Sequence, residues 1–371
     1  MAIKSIKVLN VMAFQQQWRK NNEECNTFDV KSGDRLSAMF ELQFSDGINV
    51  LIGENGVGKT TLLKMIYAAT QWSIPQTEPE KTKRIIEFFS SNLSDADMLR
   101  NYGSKEALSH FEVSDGEHTF FYSFYPKRIL NFDEWLGLNI QSVFIPTTEM
   151  LSHSKGFLAL NQKYKLPFDG TQIDIIVNAS LPETREIPEY MESILNKISN
   201  AIDGTIIMED DTFYVLKNDG RKVDFSLEAE GLRKLGLLWK LIRNGLLEKG
   251  SILLWDEPEA NLNPELFPLV ADILLELEEA GIQIFIATHN YNLAKYFEIR
   301  RKEKKQVIYH NLYRASAFAA PEYKMYEELN NNSDTEVFGK SAYYLSELKG
   351  NKIIMADEKL LDEALSKNMT D

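Results

Sequence analysis

The chain has 371 residues, 44% of them hydrophobic and 26% charged, with a formal net charge of −14. That length holds two average domains, or one elaborated α/β domain with a large core, and the acidic balance excludes a surface that grips nucleic acid everywhere. The single cysteine, Cys25, excludes an intrachain disulfide and fits a reducing compartment, and no apolar run reaches the roughly 18 residues of a membrane helix.

The N-terminal residues alternate like a strand and do not form a secretory signal, so a cytoplasmic protein is expected. Ile3, Ile6, Val8 and Val11 predict a first strand and Leu36 to Phe44 a second, with the polar segment from Gln15 to Asp34 as the loop between them. Ile48 to Ile52 is a short apolar run, as in a buried strand. Leu62, Leu63, Ile66 and Tyr67 recur three and four apart, as on the inner face of a helix ending near Thr70.

Between that strand and that helix stands Gly53-Glu54-Asn55-Gly56-Val57-Gly58-Lys59-Thr60-Thr61, which contains the pattern G-x-x-x-x-G-K-[ST] of a phosphate-binding loop. Glycines let successive N–H groups point into one concavity, and the helix start adds its free N–H groups and positive dipole end. Lys59 brings a point charge for the β- and γ-phosphates, and the Thr60 hydroxyl can hold Mg²⁺.

Ile85, Ile86, Phe88, Phe89 and Leu93 predict a short helix, left through the polar run 91–97. His118 to Tyr125 predicts an aromatic-rich strand, whose rings either pack in a core or stack on bases. Ser142 to Ile145 is another buried strand, closed by Pro146 and followed by Thr147, Thr148, Glu149, Met150, Leu151, Ser152 and His153. These face a ligand or form a plain loop. One amphipathic helix is expected within Pro182 to Ile202, with Met191, Ile194, Leu195 and Ile198 on one face. Ile206 to Met208, Phe213 to Leu216 and Val223 to Phe225 alternate between turns as a small antiparallel sheet.

Gly231 opens an apolar helix expected over Leu235 to Leu247, whose start can receive an anion. Ser251 to Trp255 is a core strand that ends in Asp256-Glu257-Pro258-Glu259. Two adjacent carboxylates leaving a buried strand are costly without a cation, so Asp256 is assigned to a Mg²⁺ shell and Glu257 to polarising the attacking water. Asn263 caps and Pro264 starts a helix running to Ala280, stopped by Gly281. Gln283 to Ala287 is the next core strand, and it delivers His289 to the same edge, where an imidazole can hydrogen-bond a γ-phosphate oxygen. His110, His118, His153 and His310 share no metal-ligand spacing with one another or with Cys25.

In this order the phosphate loop, the Gly231 segment, Asp256-Glu257 and His289 resemble the Walker A, signature, Walker B and switch-histidine motifs of ABC-type ATPases. The wording Asp256-Glu257-Pro258-Glu259-Ala260-Asn261-Leu262-Asn263-Pro264 is similar to the SMC/RecF/OLD-type branch, and most similar to the AAA-type ATPases of bacterial anti-phage defence operons. So are Ala229-Glu230-Gly231-Leu232-Arg233-Lys234 and the Pro146 to Ser152 run. The resemblance implies an α/β ABC-type head over residues 1–371, with a mixed β-sheet core, a small antiparallel β subdomain and a helical lid. The lid is an inserted region at 72–235, with a C-terminal extension at 306–371 for partner docking and no coiled-coil arm.

The resemblance further implies ATP and Mg²⁺ as cofactors and a nucleotide-sandwich homodimer. Lys59, Thr60, Asp256, Glu257 and His289 then act in cis and Gly231 in trans, with Asn261 and Asn263 at the seam. Glu149 stands at the family's glutamine-loop position, beside the metal with Thr60 and Asp256. Ala229 replaces the signature serine, and Arg233 is assigned the replacement charge in trans. No TOPRIM nuclease domain fits after His289. The expected function is therefore an ATP-hydrolysing switch read by a separate effector protein, in anti-phage defence. The alternatives are a DNA-engaging RecF-type repair ATPase using the basic run Arg300 to Lys305, which the net charge does not favour, and a non-hydrolysing nucleotide sensor. The same run also reads as a solvated helix end, and Tyr323, Tyr326, Tyr343 and Tyr344 in the acidic tail read as a docking surface.

Overall fold

The computed structural model describes residues 1–14, 17–20, 31–32, 35–75, 84–91, 96–100, 108–125, 128–130, 132–314, 337–348 and 351–368. Cys25, Leu93, Tyr323 and Tyr326 lie outside them.

Apolar runs buried on both sides build a central sheet. Its strands are ordered Ser142–Ile145, Ile252–Asp256, Gln283–Thr288, Ile48–Gly53, Val307–Arg314 and Val337–Ala342. The first five run parallel, and the last pairs antiparallel. Alternate residues feed two different cores, as period-two geometry requires. Ile48, Val50, Ile52, Leu253, Trp255, Ile284 and Ile286 pack into one. Leu51, Ile252, Leu254, Phe285 and Ala287 pack into the other.

The second core lies under an antiparallel sheet ordered Phe40–Gln43, Ser5–Leu9, Ser109–Ser114, Thr119–Tyr125 and Arg128–Leu130. The phosphate-loop helix, Lys59–Trp72, is sandwiched there, with Leu62, Leu63, Ile66 and Tyr67 buried. Phe120, Tyr122 and Phe124 are buried in the same core, so these aromatics serve packing and not base stacking. The first core is covered by the helices Gly170–Ala179, Glu189–Ile202, Glu230–Arg243 and Phe267–Glu279. The expected small sheet is present as Gly204–Glu209, Thr212–Lys217 and Lys222–Asp224. Among the described residues no helix exceeds the 17 residues of Lys352–Asn368, and no coiled-coil arm is present. No helix among them is long and apolar enough to cross a membrane.

One expectation needs correction. The stretch Leu36 to Phe44 is two strands, Arg35–Ala38 and Phe40–Gln43, which join different sheets. The 72–235 region supplies Ser142–Ile145 to the central sheet and three strands to the antiparallel one. The extension from residue 306 begins inside the central sheet. Val307–Arg314 lies in parallel register beside the phosphate-loop strand, Leu312 opposite Gly53, and the chain then returns through Val337–Ala342.

A buried polar thread crosses the sheet. His310 is fully buried, with Nδ1 2.7 Å from Ser341 Oγ and Nε2 3.3 Å from Asn49 Oδ1. Burial pushes its pKa down to about 3, so the ring is neutral. Asn351 donates to Asn311 Oδ1 at 2.7 Å, and Lys352, at the root of the C-terminal helix, lies 3.0 Å from Glu54 Oε1 in the phosphate loop.

Candidate nucleotide site

Parallel pairing aligns the carboxyl ends of four strands. Asp256 lies opposite Ala287, Thr288 opposite Ile52, and Trp255 opposite Ile145. Open α/β sheets bind ligands at that edge. The strand Ile48–Gly53 ends there, and Lys59–Trp72 starts there. Gly56 and Gly58 have φ +78° and +94°, a region L side chains rarely enter. A Cβ at Gly58 would also sit 2.6 Å from the Phe14 ring, and one at Gly53 2.2 Å from the Leu312 carbonyl oxygen.

Lys59 is buried, and its Nζ donates to the Gly53 and Glu54 carbonyls at 2.7 and 2.9 Å. Burial lowers its pKa, opposed by the charges of Glu257, Asp256, Glu259 and Glu54. Asn55 is exposed beside it, whereas Val57 is buried on the apolar side. Thr61 is buried, its hydroxyl 3.7 Å from Met12 Sδ. A cleft of about 490 Å³ lies over the loop, bounded by Met12, Asn55, Lys59, Thr60, Met98 and Arg314. Arg314 donates to the Gly56 carbonyl at 3.1 Å.

Asp256 closes the inner side. The Thr60 hydroxyl lies 3.0 and 2.9 Å from its two oxygens, and Thr147 Oγ1 3.0 Å from Oδ2. Burial raises its pKa, and the two hydroxyls oppose that rise. The carboxylate is desolvated and surrounded by hydroxyl oxygens. This all-oxygen donor set fits a hard divalent cation such as Mg²⁺.

Glu257 follows in the left-handed region, φ +49°, with its N–H donating to the Ala287 carbonyl at 2.9 Å. Its Oε1 is 3.2 Å from His289 Nδ1. Glu259 is buried, and its Oε1 accepts from Thr288 Oγ1 at 2.6 Å and from the His289 N–H at 3.1 Å. The structure thus brings Lys59, Thr60, Asp256, Glu257 and His289 to one edge of the sheet.

Three assigned residues sit differently. Glu149 is buried, and its carboxylate is taken up by Arg233 at 3.0 Å and by the N–H groups of Leu151 and Ser152. Within the chain it is thus held by a turn and an ion pair, and Arg233 is held by Glu149. Gly231 is buried against its own chain. A Cβ there would lie 2.8 Å from the Asn261 carbonyl oxygen and 3.0 Å from Leu262 Cα. Its helix starts at Glu230, five residues earlier than expected, and the exposed residue at that end is Ala229.

Lys234, Glu259, Thr288, Met12 and Arg314 carry no site assignment in the sequence, and Thr147 stands there only as a residue facing a ligand or forming a loop. Thr147 and Thr288 carried a usable signal, as hydroxyls at or just beyond the ends of core strands. Lys234 and Arg314 carried none, because their partners are distant main-chain carbonyls. Among the described residues no group of three or more His, Cys, Asp or Glu side chains forms a metal site of its own.

The arginine transport ATP-binding protein ArtP of Haemophilus influenzae is 46% identical over 54 residues, which is 15% of this chain and 22% of that protein. The SMC head domain of Thermotoga maritima is 15% identical with a TM-score of 0.45, over 92% of this chain and 99% of that one. A bacterial ABC transporter cassette solved as a dimer is also 15% identical, with a TM-score of 0.33, over 82% of this chain and 93% of that one. Residues 48–295, which hold every motif described above, match the model of the family described as "AAA domain, putative AbiEii toxin, Type IV TA system", and the chain belongs to that family of ABC-type P-loop ATPases.

Proposed function

We propose that this chain binds ATP with Mg²⁺, hydrolyses it, and works as a homodimeric switch for a separate effector. One observation carries the reading: Asp256, held by Thr60 and Thr147, and Glu257, held by His289, leave the same strand end beside Lys59. The Gly53 to Lys59 loop and the start of the following helix orient the phosphates, and Lys59 exchanges its two loop carbonyls for them. Thr60 and Asp256 would hold the Mg²⁺, which would supply charge neutralisation at the phosphates. Glu257 Oε takes the proton of the attacking water, with its carboxylate oriented by His289 Nδ1.

The helix Glu230–Arg243 has no side-chain cap at its start, and Ala229, Asn261 and Asn263 are exposed around it. That favours this end, rather than the Gly231 backbone facing Asn261, as the surface meeting a second copy. The family description, with its toxin and toxin–antitoxin wording, supports an effector system and a defence role. The basic run does not favour DNA. Arg300 pairs with Asp272 and Lys302 with Glu279, while Arg301 donates to main-chain carbonyls and lies 4.6 Å from the Tyr344 ring.

Phosphate release from ATP by wild type and Glu257→Gln tests the reading. Turnover is expected in wild type and a loss on the order of 10²-fold in the variant, with ATP binding kept. Light scattering should find the ATP-bound variant as a dimer. Absence of phosphate release from concentrated wild type would leave only nucleotide sensing.

A further inference from the structure

The helix Glu230–Arg243 and the acidic strand end meet at one buried cation. Lys234 is 2% exposed, and its Nζ donates to the Glu257 main-chain carbonyl at 3.0 Å. Glu257 is a non-glycine residue at φ +49°, a conformation held only under constraint. Burial lowers the Lys234 pKa, and the charges of Glu259, Glu230, Glu257 and Asp256 counter it, Glu259 most. Glu259 is itself 6% exposed, and its Oε2 has no hydrogen-bond partner. A methionine would fill the same room without the cost of burying charge. What the ammonium adds is a donor aimed at the Glu257 backbone and a countercharge for the buried acids. Lys234 also lies just over one turn inside the uncapped end of its helix, beyond which Ala229 is exposed.

We propose that Lys234 is a positioning residue: it holds the Glu257 backbone in its left-handed conformation and ties that carboxylate to the helix a second copy would meet. This rests on reading Glu257 as the base that activates water, so the test includes a measurement independent of turnover. A displacement at the helix start can reach Glu257 through the Lys234 side chain, without passing through the nucleotide.

The full chain carrying Lys234→Met or Lys234→Arg is compared with wild type in three measurements. These are phosphate release, equilibrium binding of a fluorescent ATP analogue, and amide hydrogen exchange over residues 256–262. Lys234→Met is expected to lower turnover on the order of ten- to a hundredfold, with affinity within about twofold, because a misplaced base loses rate and not binding. Exchange at the Glu257 amide, which donates to Ala287, should quicken locally, and Lys234→Arg should restore part of both. Unchanged exchange at Glu257 overturns the proposal, as does affinity lost together with turnover or faster exchange across the whole chain. If wild type releases no phosphate, the hydrolytic reading fails, and local exchange alone still decides the role of Lys234. Should Lys234→Met fail to fold, Lys234→Gln, which falls short of the carbonyl, carries the same comparison with the same outcomes.

Discussion

The Thr60 hydroxyl lies within 3.0 Å of both carboxylate oxygens of Asp256, a residue 196 positions away in the chain. Burial holds the Asp256 pKa above its ordinary 3.8. The native state therefore keeps a proton that the unfolded chain has already lost in the window between the two values, and stability falls as pH climbs through it. At neutral pH the charge is a net cost until a cation arrives. Asp256→Asn should melt higher than wild type at pH 7 without ligand, with the gap closing as pH falls toward 3.8. It should also lose Mg²⁺-dependent ATP binding. Thermal unfolding across pH, with and without Mg²⁺, checks both.

Glu149 and Arg233 form a pair whose side chains are 2% and 15% exposed. Removing one partner leaves a buried charge, so Glu149→Ala or Arg233→Ala should each destabilise by about 3–5 kcal/mol. The double change to Gln and Met should cost less than the sum of the singles. Urea unfolding in a double-mutant cycle measures the coupling. A Glu149 variant that kept full stability and lost only metal affinity would favour the metal assignment.

Gly231 packs on the Asn261 carbonyl with no room for a methyl group. Gly231→Ala should cost about 1–3 kcal/mol in the monomer, before any nucleotide is added. Denaturation of dilute protein without ATP reads this directly. A variant as stable as wild type, but unable to dimerise with ATP, would move the role of Gly231 to the partner's site.

His310 stays neutral in the core, with its pKa pushed down to about 3 from 6.5. The unfolded chain takes up its proton first, so this contribution is complete above pH 6.5 and is lost as pH falls toward 3. Between pH 6.5 and 5 wild type should lose ~2 kcal/mol more than His310→Asn. Urea titrations at those two pH values supply the comparison.

The phosphate loop, Asp256-Glu257 and His289 were legible because each is a polar cluster at the end of a short apolar run, and strand ends in a parallel sheet share one edge. Glu149 and Arg233 were not, since a resemblance assigns a position and only packing assigns a partner. Glycine at 231 read as an anion site, while its cause lies 30 residues on, in the Asn261 backbone. The place of the strand Val307–Arg314 in the sheet was not legible, because its pairing with Ile48–Gly53 spans most of the chain. The split of Leu36 to Phe44 was missed because both halves have strand character.

Lys352 fastens the C-terminal helix to Glu54, inside the loop that grips phosphate. Its 17 residues rise about 25 Å, so tilting the base by about 10° swings the tip by about 4 Å. Leu360 and Leu361, 65% and 61% exposed, lie about halfway along it, where the same tilt moves them by about 2 Å. A shift at the phosphate loop would thereby be carried to an exposed apolar pair well away from the chemistry.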